Sequence, residues 1–216
     1  MKRLAIIGSG DLGQQIAQHA STDNQFQVIG FFDDFKPVGA KVGNLVVLGK
    51  LSDVVNQFRE NKFDEVLIGI GYNHMQFRQD LYKSIAGIVP LARLIHSTCI
   101  IDKSCVIGEG TVIYPGAILD QNVLVEENAL INLGCCIAHD SIIGAHSFLA
   151  PRVSIGGFSK LGAKCILGIN CTIIDNLTIY PNTQIGAGGV VVKNIDCAGV
   201  YVGNPVKFIR KNNDTI

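Results

Sequence analysis

The chain has 216 residues, room for one large domain or two small ones, and 48% hydrophobic against 17% charged content marks a packed globular protein. Its 18 basic and 18 acidic side chains cancel, so no long-range attraction draws it to nucleic acid or to an anionic membrane surface, and neither is expected as a partner. The apolar run after Lys2-Arg3 stops at Gly8, short of the roughly 7–15 residues of a signal core, and nothing approaches the roughly 20 apolar residues of a membrane span. The expected location is cytoplasmic.

In chain order, Arg3–Ile7 is a short buried strand and Gly13–Ala20 a helix with one apolar face. Gln27–Phe32 is a second strand and Leu45–Leu48 a shorter third. Leu51–Asn61 is a helix that Ser52 and Asp53 open, Glu65–Ile70 a further strand, and Asn73–Ala86 a polar helix. Alternating strands and helices predict a small parallel sheet with helices on its faces, a Rossmann-like α/β domain over residues 1–90.

After Pro90 the pattern changes. An Ile, Leu or Val stands at every sixth residue from Ile95 to Val191 without a miss. A step of six walks around a helix of 3.6 residues per turn, so this is no helix. It suits an all-β coil of short flat strands that each point one aliphatic residue at a common axis. Four residues after each aliphatic the side chain is mostly small, as a tight corner requires. Cys99, Cys105, Cys135, Cys165 and Cys171 all fall on that position, so most cysteines are packing residues, and neither a metal site nor a disulfide framework is expected.

Where this coil carries chemistry, Cys136-Ile137-Ala138-His139-Asp140-Ser141 sets a histidine beside a carboxylate. Imidazole titrates near neutrality and can take a proton from an attacking amine, and a neighbouring carboxylate can hold its tautomer. A lone histidine is more often surface decoration, and His19, His74, His96 and His146 are also present. In the first half, Gly8-Ser9-Gly10-Asp11-Leu12-Gly13 follows a strand and opens a helix, the setting of a phosphate-cradling loop. Asp33-Asp34 lies about twenty residues on, at the next strand's end. A dinucleotide-dependent oxidoreductase is one reading, but some ninety residues are about half of that two-part fold. A mononucleotide site is the other. Asp33-Asp34 as a plain solvated turn is equally open at this point.

The six-residue repeat resembles that of the hexapeptide-repeat acyltransferases, which form a left-handed parallel β-helix. The ending, Gly186-Ala187-Gly188-Gly189-Val190-Val191-Val192-Lys193 and Val202-Gly203-Asn204-Pro205-Val206-Lys207, is similar to that family's terminal coil and closing loop. The stretch Ile131-Asn132 through Gly144 resembles the active-site segment of bacterial N-acetyltransferases acting on nucleotide-linked 4-amino-4,6-dideoxy sugars, and of the related sialic acid O-acetyltransferases.

That resemblance implies an acetyl-CoA-dependent enzyme without a metal. His139 would be the base, Asp140 its orienting partner and Gly157 the backbone donor to the thioester oxygen, with His146 structural. Acetyl-CoA would lie along Ile155, Gly157, Gly168, Ala187, Lys193 and Pro205. The nucleotide-linked amino sugar would meet Gly8, Ser9, Gly10 and Gly13 with its diphosphate. Asp33, Asp34, Lys36, Gly71, Asn73 and Asn132 would complete its pocket, with the Asp pair on the base. Leu12 departs from the family, which often has histidine there. The resemblance also implies a homotrimer, a β-helix domain over 91–216 and a role in bacterial surface glycan synthesis. Sugar O-acetylation and a non-catalytic β-helix that binds nucleotide sugar remain the alternatives.

Overall fold

A computed structural model describes residues 1–212. It separates into two compact units, the first Met1–Leu94 and the second beginning at Ile95.

In the first unit β1 (Lys2–Ile7), β2 (Phe26–Phe32), β3 (Lys41–Val42), β4 (Leu45–Gly49) and β5 (Glu65–Ile68) form one sheet in the order β3-β4-β2-β1-β5. β1 runs parallel to β2 and β5, and β2 parallel to β4. Helix α1 (Asp11–Thr22) packs where Gly13 meets Ile6, on one face of β1. Helices α2 (Val54–Arg59) and α3 (Met75–Ile85) belong with Ala5, Ile7, Phe32 and Ile68 on the other face, since neighbouring strand residues point opposite ways.

Two expectations need correction here. The sheet is not all parallel, because Val42-Gly43-Asn44-Leu45 folds β3 back antiparallel to β4 around Gly43 at φ +60°. A strand of two residues leaves no alternation to read. Ser52 and Asp53 do not open a single helix either. A 3-10 turn occupies Leu51–Asp53, and the Asp53 carboxylate accepts the Lys50 N–H at 2.8 Å, capping that turn and not α2.

The second unit is the coil. Its two-residue strands pair in parallel with partners eighteen residues on, as Ile118 with Cys136 and Cys136 with Ser154, so three hexads make one turn. The strands stack into three sheets, one per prism face. From Ile113 onward the sixth-residue aliphatics are buried along the axis, each contributing about 1.5–3 kcal/mol by burial. A final hairpin, Gly199–Gly203 with Val206–Arg210, closes the coil.

The corners differ from expectation in an instructive way. The turning residue lies three after the aliphatic, not four. Every sixth residue from Gly110 to Gly188 has φ between +53° and +74°. The small residue at the fourth position instead points inward, and its hydroxyl or thiol donates to a carbonyl of the next coil. Examples are Ser141 Oγ to Gly156 O (3.0 Å), Ser159 Oγ to Ile174 O (2.9 Å) and Cys135 Sγ to Ala150 O (3.3 Å). Small size alone would be met by alanine. The corner carbonyl explains the preference for Ser, Thr and Cys.

Candidate active site

His139 sits two residues past the inward Ile137, at a corner where the side chain must leave the coil. Its imidazole is 47% exposed, and Nδ1 lies 3.0 Å from the Asp140 carboxylate. Asp140 is a left-handed corner residue, φ +57°, which turns its side chain back toward its neighbour. Its second oxygen accepts from Asn122 Nδ2 at 3.1 Å, one coil below. The hydrogen bond to His139, then that to Asn122, holds the Asp140 carboxyl below the usual carboxylate range. It is therefore ionised at neutral pH and keeps the ring proton on Nδ1, leaving Nε2 to accept.

Gly157 stands one coil above His139. A Cβ on it would lie 2.8 Å from His139 Cε1 and 2.9 Å from Nε2, so only glycine lets the ring rest there. Its backbone is outside the left-handed region, and its carbonyl accepts from Asn176 N at 2.9 Å. Phe158, next in chain, donates its N–H to His139 O at 3.0 Å and meets the imidazole edge-on, centroids 5.0 Å apart at 86°. Lys193 is exposed and occupies the same corner column as His139 and Gly157, at eighteen-residue steps.

Other expected residues divide. Ile155 is an inward core residue, 3% exposed, and its carbonyl accepts from Ala138 N, so its side chain cannot line a cofactor groove. Gly168 is a stacking glycine, since a Cβ would come within 2.5 Å of Ala187 N on the next coil. Ala187 and Pro205 are exposed. Asn132 lies at the preceding corner, where its side-chain oxygen accepts from Leu133 N. His146, the rival base, is 3% exposed with Nδ1 2.9 Å from Asn128 Nδ2, closed inside a corner.

In the first unit the glycine-rich loop is built differently. Gly8 needs its left-handed φ of +97°, and Gly13 lets α1 cross β1, since a Cβ would strike Gly8 O at 2.0 Å. Gly10 has nothing within 4 Å of an added Cβ and stays open to approach. Ser9 is fully buried, and both its N–H and its hydroxyl donate to one Asp33 oxygen, at 2.9 and 2.5 Å. Asp33's other oxygen accepts from Phe35 N. Burial pushes the Asp33 carboxyl up, but the Ser9 and Phe35 hydrogen bonds and the Lys36 charge outweigh it, and its pKa falls. Ser9 and Asp33 thus hold the loop, with the Ser9 N–H and hydroxyl both committed to Asp33.

Lys36 brings positive charge to that loop, its Nζ 2.9 Å from Ser9 Oγ. Asp34 is exposed, accepts from Leu51 N, and borders a cavity of about 410 Å³ shared with Leu51, Ser52, Phe77, Asp80, Leu81 and Ser84. Gly71 caps and Asn73 lies within a 3-10 turn, Tyr72–His74, after β5, whose end is fixed by the buried Arg78 donating to Ile68 O and Ile70 O. Sequence reasoning missed Arg78, Phe77, Asp80, Asn122 and Phe158. The last two carried a signal, since each lies eighteen residues from Asp140 in the repeat. A second cavity, about 320 Å³ between α1 and the β3–β4 hairpin, contains none of the expected residues. Among the described residues no cluster of three metal-ligating side chains occurs, and no helix is long and apolar enough to cross a membrane.

A parallel coil of three hexads per turn, joined to an α/β unit with a glycine-rich loop, defines the left-handed hexapeptide-repeat transferase fold. Residues 3–85 match the PglD N-terminal domain family. The whole chain is similar to PerB from Caulobacter crescentus, solved with CoA and GDP-perosamine. It is 26% identical with a TM-score of 0.87, over 97% of this chain and 98% of that one. It also shares its fold with the acetyltransferase domain of PglB from Neisseria gonorrhoeae, 24% identical with a TM-score of 0.88, over 97% and 100% of the two chains. WeeI from Acinetobacter baumannii has the fold too, 22% identical with a TM-score of 0.84, over 97% and 100%. The chain has no significant match among curated protein sequences. The resemblance to sugar N-acetyltransferases read from its residues holds.

Proposed function

We propose that the protein is an N-acetyltransferase that moves acetyl from acetyl-CoA to the 4-amino group of a nucleotide-linked 4-amino-4,6-dideoxyhexose, with UDP or dTDP as the nucleotide. The observation that carries this is the exposed His139 held by an ionised Asp140 against Gly157. The likeness to PerB, which was solved with CoA and GDP-perosamine, supports the donor and the acceptor class and adds GDP to the nucleotides worth testing.

In this reading His139 Nε2 takes the amine proton as nitrogen attacks the thioester carbon. The tetrahedral oxyanion faces the Gly157 N–H, a donor of a kind whose loss can cost about 2.7–4 kcal/mol. The C–S bond then breaks, and CoA thiolate recovers the proton from the imidazolium. Asp140 stabilises that cation while it lasts. Lys193, Ala187 and Pro205 meet the cofactor in this reading, which their exposure supports. In the α/β unit Gly10 with Lys36 takes the diphosphate, Gly8 shaping the turn with its N–H on Phe32 O, and the cavity beside Asp34 takes the nucleoside. Asp34 replaces Asp33 as the contacting acid.

Exposed Ile100 and Val106 on the first coil support assembly through prism faces, and we assign a homotrimer, checked by light scattering. The deciding experiment is product mass after mixing the protein with acetyl-CoA and UDP-, dTDP- or GDP-linked amino sugars. A gain of one acetyl on a 4-amino sugar, absent with His139→Ala, is the expected result. No gain on any amino sugar with acetyl-CoA still bound overturns it in favour of an O-acetyltransferase.

A further inference from the structure

The left-handed corners are not filled uniformly. From 110 to 134 and again from 170 to 188 every one is Gly or Asn, the residues that tolerate this backbone best. Between them stand Asp140, His146, Arg152, Phe158 and Lys164. Local preference is given up over one contiguous stretch that begins at the residue after His139, and two of its five members, Asp140 and Phe158, share His139's corner. Such departures cluster where function overrides propensity.

Phe158 is the most costly of these choices. Its φ is +58°, and it lacks the short polar side chain through which Asn or Asp relieves a left-handed backbone. Core packing does not explain it, because the residue is 52% exposed. What the ring touches is the imidazole, edge-on. Asp140 holds Nδ1 and Gly157 lies against the ring near Cε1, but one hydrogen bond on a half-exposed side chain leaves the ring plane free to swing.

We propose that Phe158 is a positioning residue that locks the plane of the His139 imidazole, so that Nε2 points at the attacking amine. The inference rests on His139 being the base. The strained corner brings the ring there, one coil above Asp140. Fixing the base before substrate arrives removes ordering from the barrier, and misplacement of about 1 Å can cost about 10²-fold.

The test compares Phe158→Asn, Phe158→Tyr and His139→Ala in the full chain, reading thermal midpoint, kcat and KM for both substrates. Phe158→Asn relaxes the backbone, so its midpoint stays level or rises by about 2–4 °C, while kcat falls by about 10–100-fold with KM unchanged. Phe158→Tyr, which keeps the ring, restores kcat to within about 2-fold of the parent. Parent kcat in Phe158→Asn, beside an inactive His139→Ala, overturns the inference and leaves the base assignment standing. A loss confined to the acceptor's KM also overturns it, by making Phe158 a pocket wall. Activity in His139→Ala removes the base assignment itself.

Discussion

The glycine-rich loop of the α/β unit and the His139 corner of the coil both pair a short motif with a carboxylate, and they use it in opposite ways. At Ser9 itself the polar groups are turned inward. The hydroxyl and N–H are buried on Asp33, and Lys36 adds its charge from the side. Around His139 the polar groups are arranged outward. Asp140 and Asn122 hold the ring from the coil side, and Nε2 keeps no partner among the described residues. Both carboxylates are bonded within the chain through both oxygens; the Ser9 that Asp33 holds is buried, whereas the His139 that Asp140 holds stays half exposed. Burial separates two aspartates that look alike in sequence.

The sharpest break of that contrast is His139→Ala. Its kcat falls by about 10²–10⁴-fold, while circular dichroism and thermal midpoint stay at parental values because the ring is half exposed. Gly157→Ala comes next, with kcat lowered by about 10²-fold. The new Cβ displaces the imidazole, yet the N–H remains and no left-handed backbone is strained, so stability is retained.

On the other side of the comparison, Asp33→Asn lowers stability by about 1–3 kcal/mol, because the buried Ser9 groups lose part of their acceptor. Asp33's folded pKa lies below its ordinary value, so its stabilisation is present above about pH 4 and is lost as pH falls through the folded pKa. The parent's thermal midpoint therefore falls more steeply than the variant's on acidification below about pH 5. The smallest effect belongs to Asn122→Ala, which removes one of two hydrogen bonds on Asp140. A loss of about 0.5–1.5 kcal/mol corresponds to about 2–10-fold in kcat.

Much of the coil was legible because its contacts recur at one separation. Each residue meets its counterpart eighteen positions away, so a hexad with one aliphatic and one small residue determines every neighbour by translation. The pairing of His139 with Asp140 needed no tertiary information, and Gly157 over His139 follows once the coil length is known. What could not be read was the inward donor at the Ser, Thr and Cys corners, or that Phe158 accepts a left-handed backbone. Both depend on where a side chain points after the turn.

The α/β unit was legible only as an order of strands and helices. Its decisive contacts join Ser9 to Asp33, Lys36 to Ser9 and Arg78 to Ile68 across separations of 24, 27 and 10 residues, which share no period. Sequence by itself determined the repeat, the coil it builds and the corner that holds His139, because a periodic chain makes distant contacts predictable from local ones. Tertiary structure alone decided that Ser9 and Asp33 are buried and bonded to each other, that Ile155 is core and that Asp34 is exposed, because burial and hydrogen-bond satisfaction exist only once the packing closes.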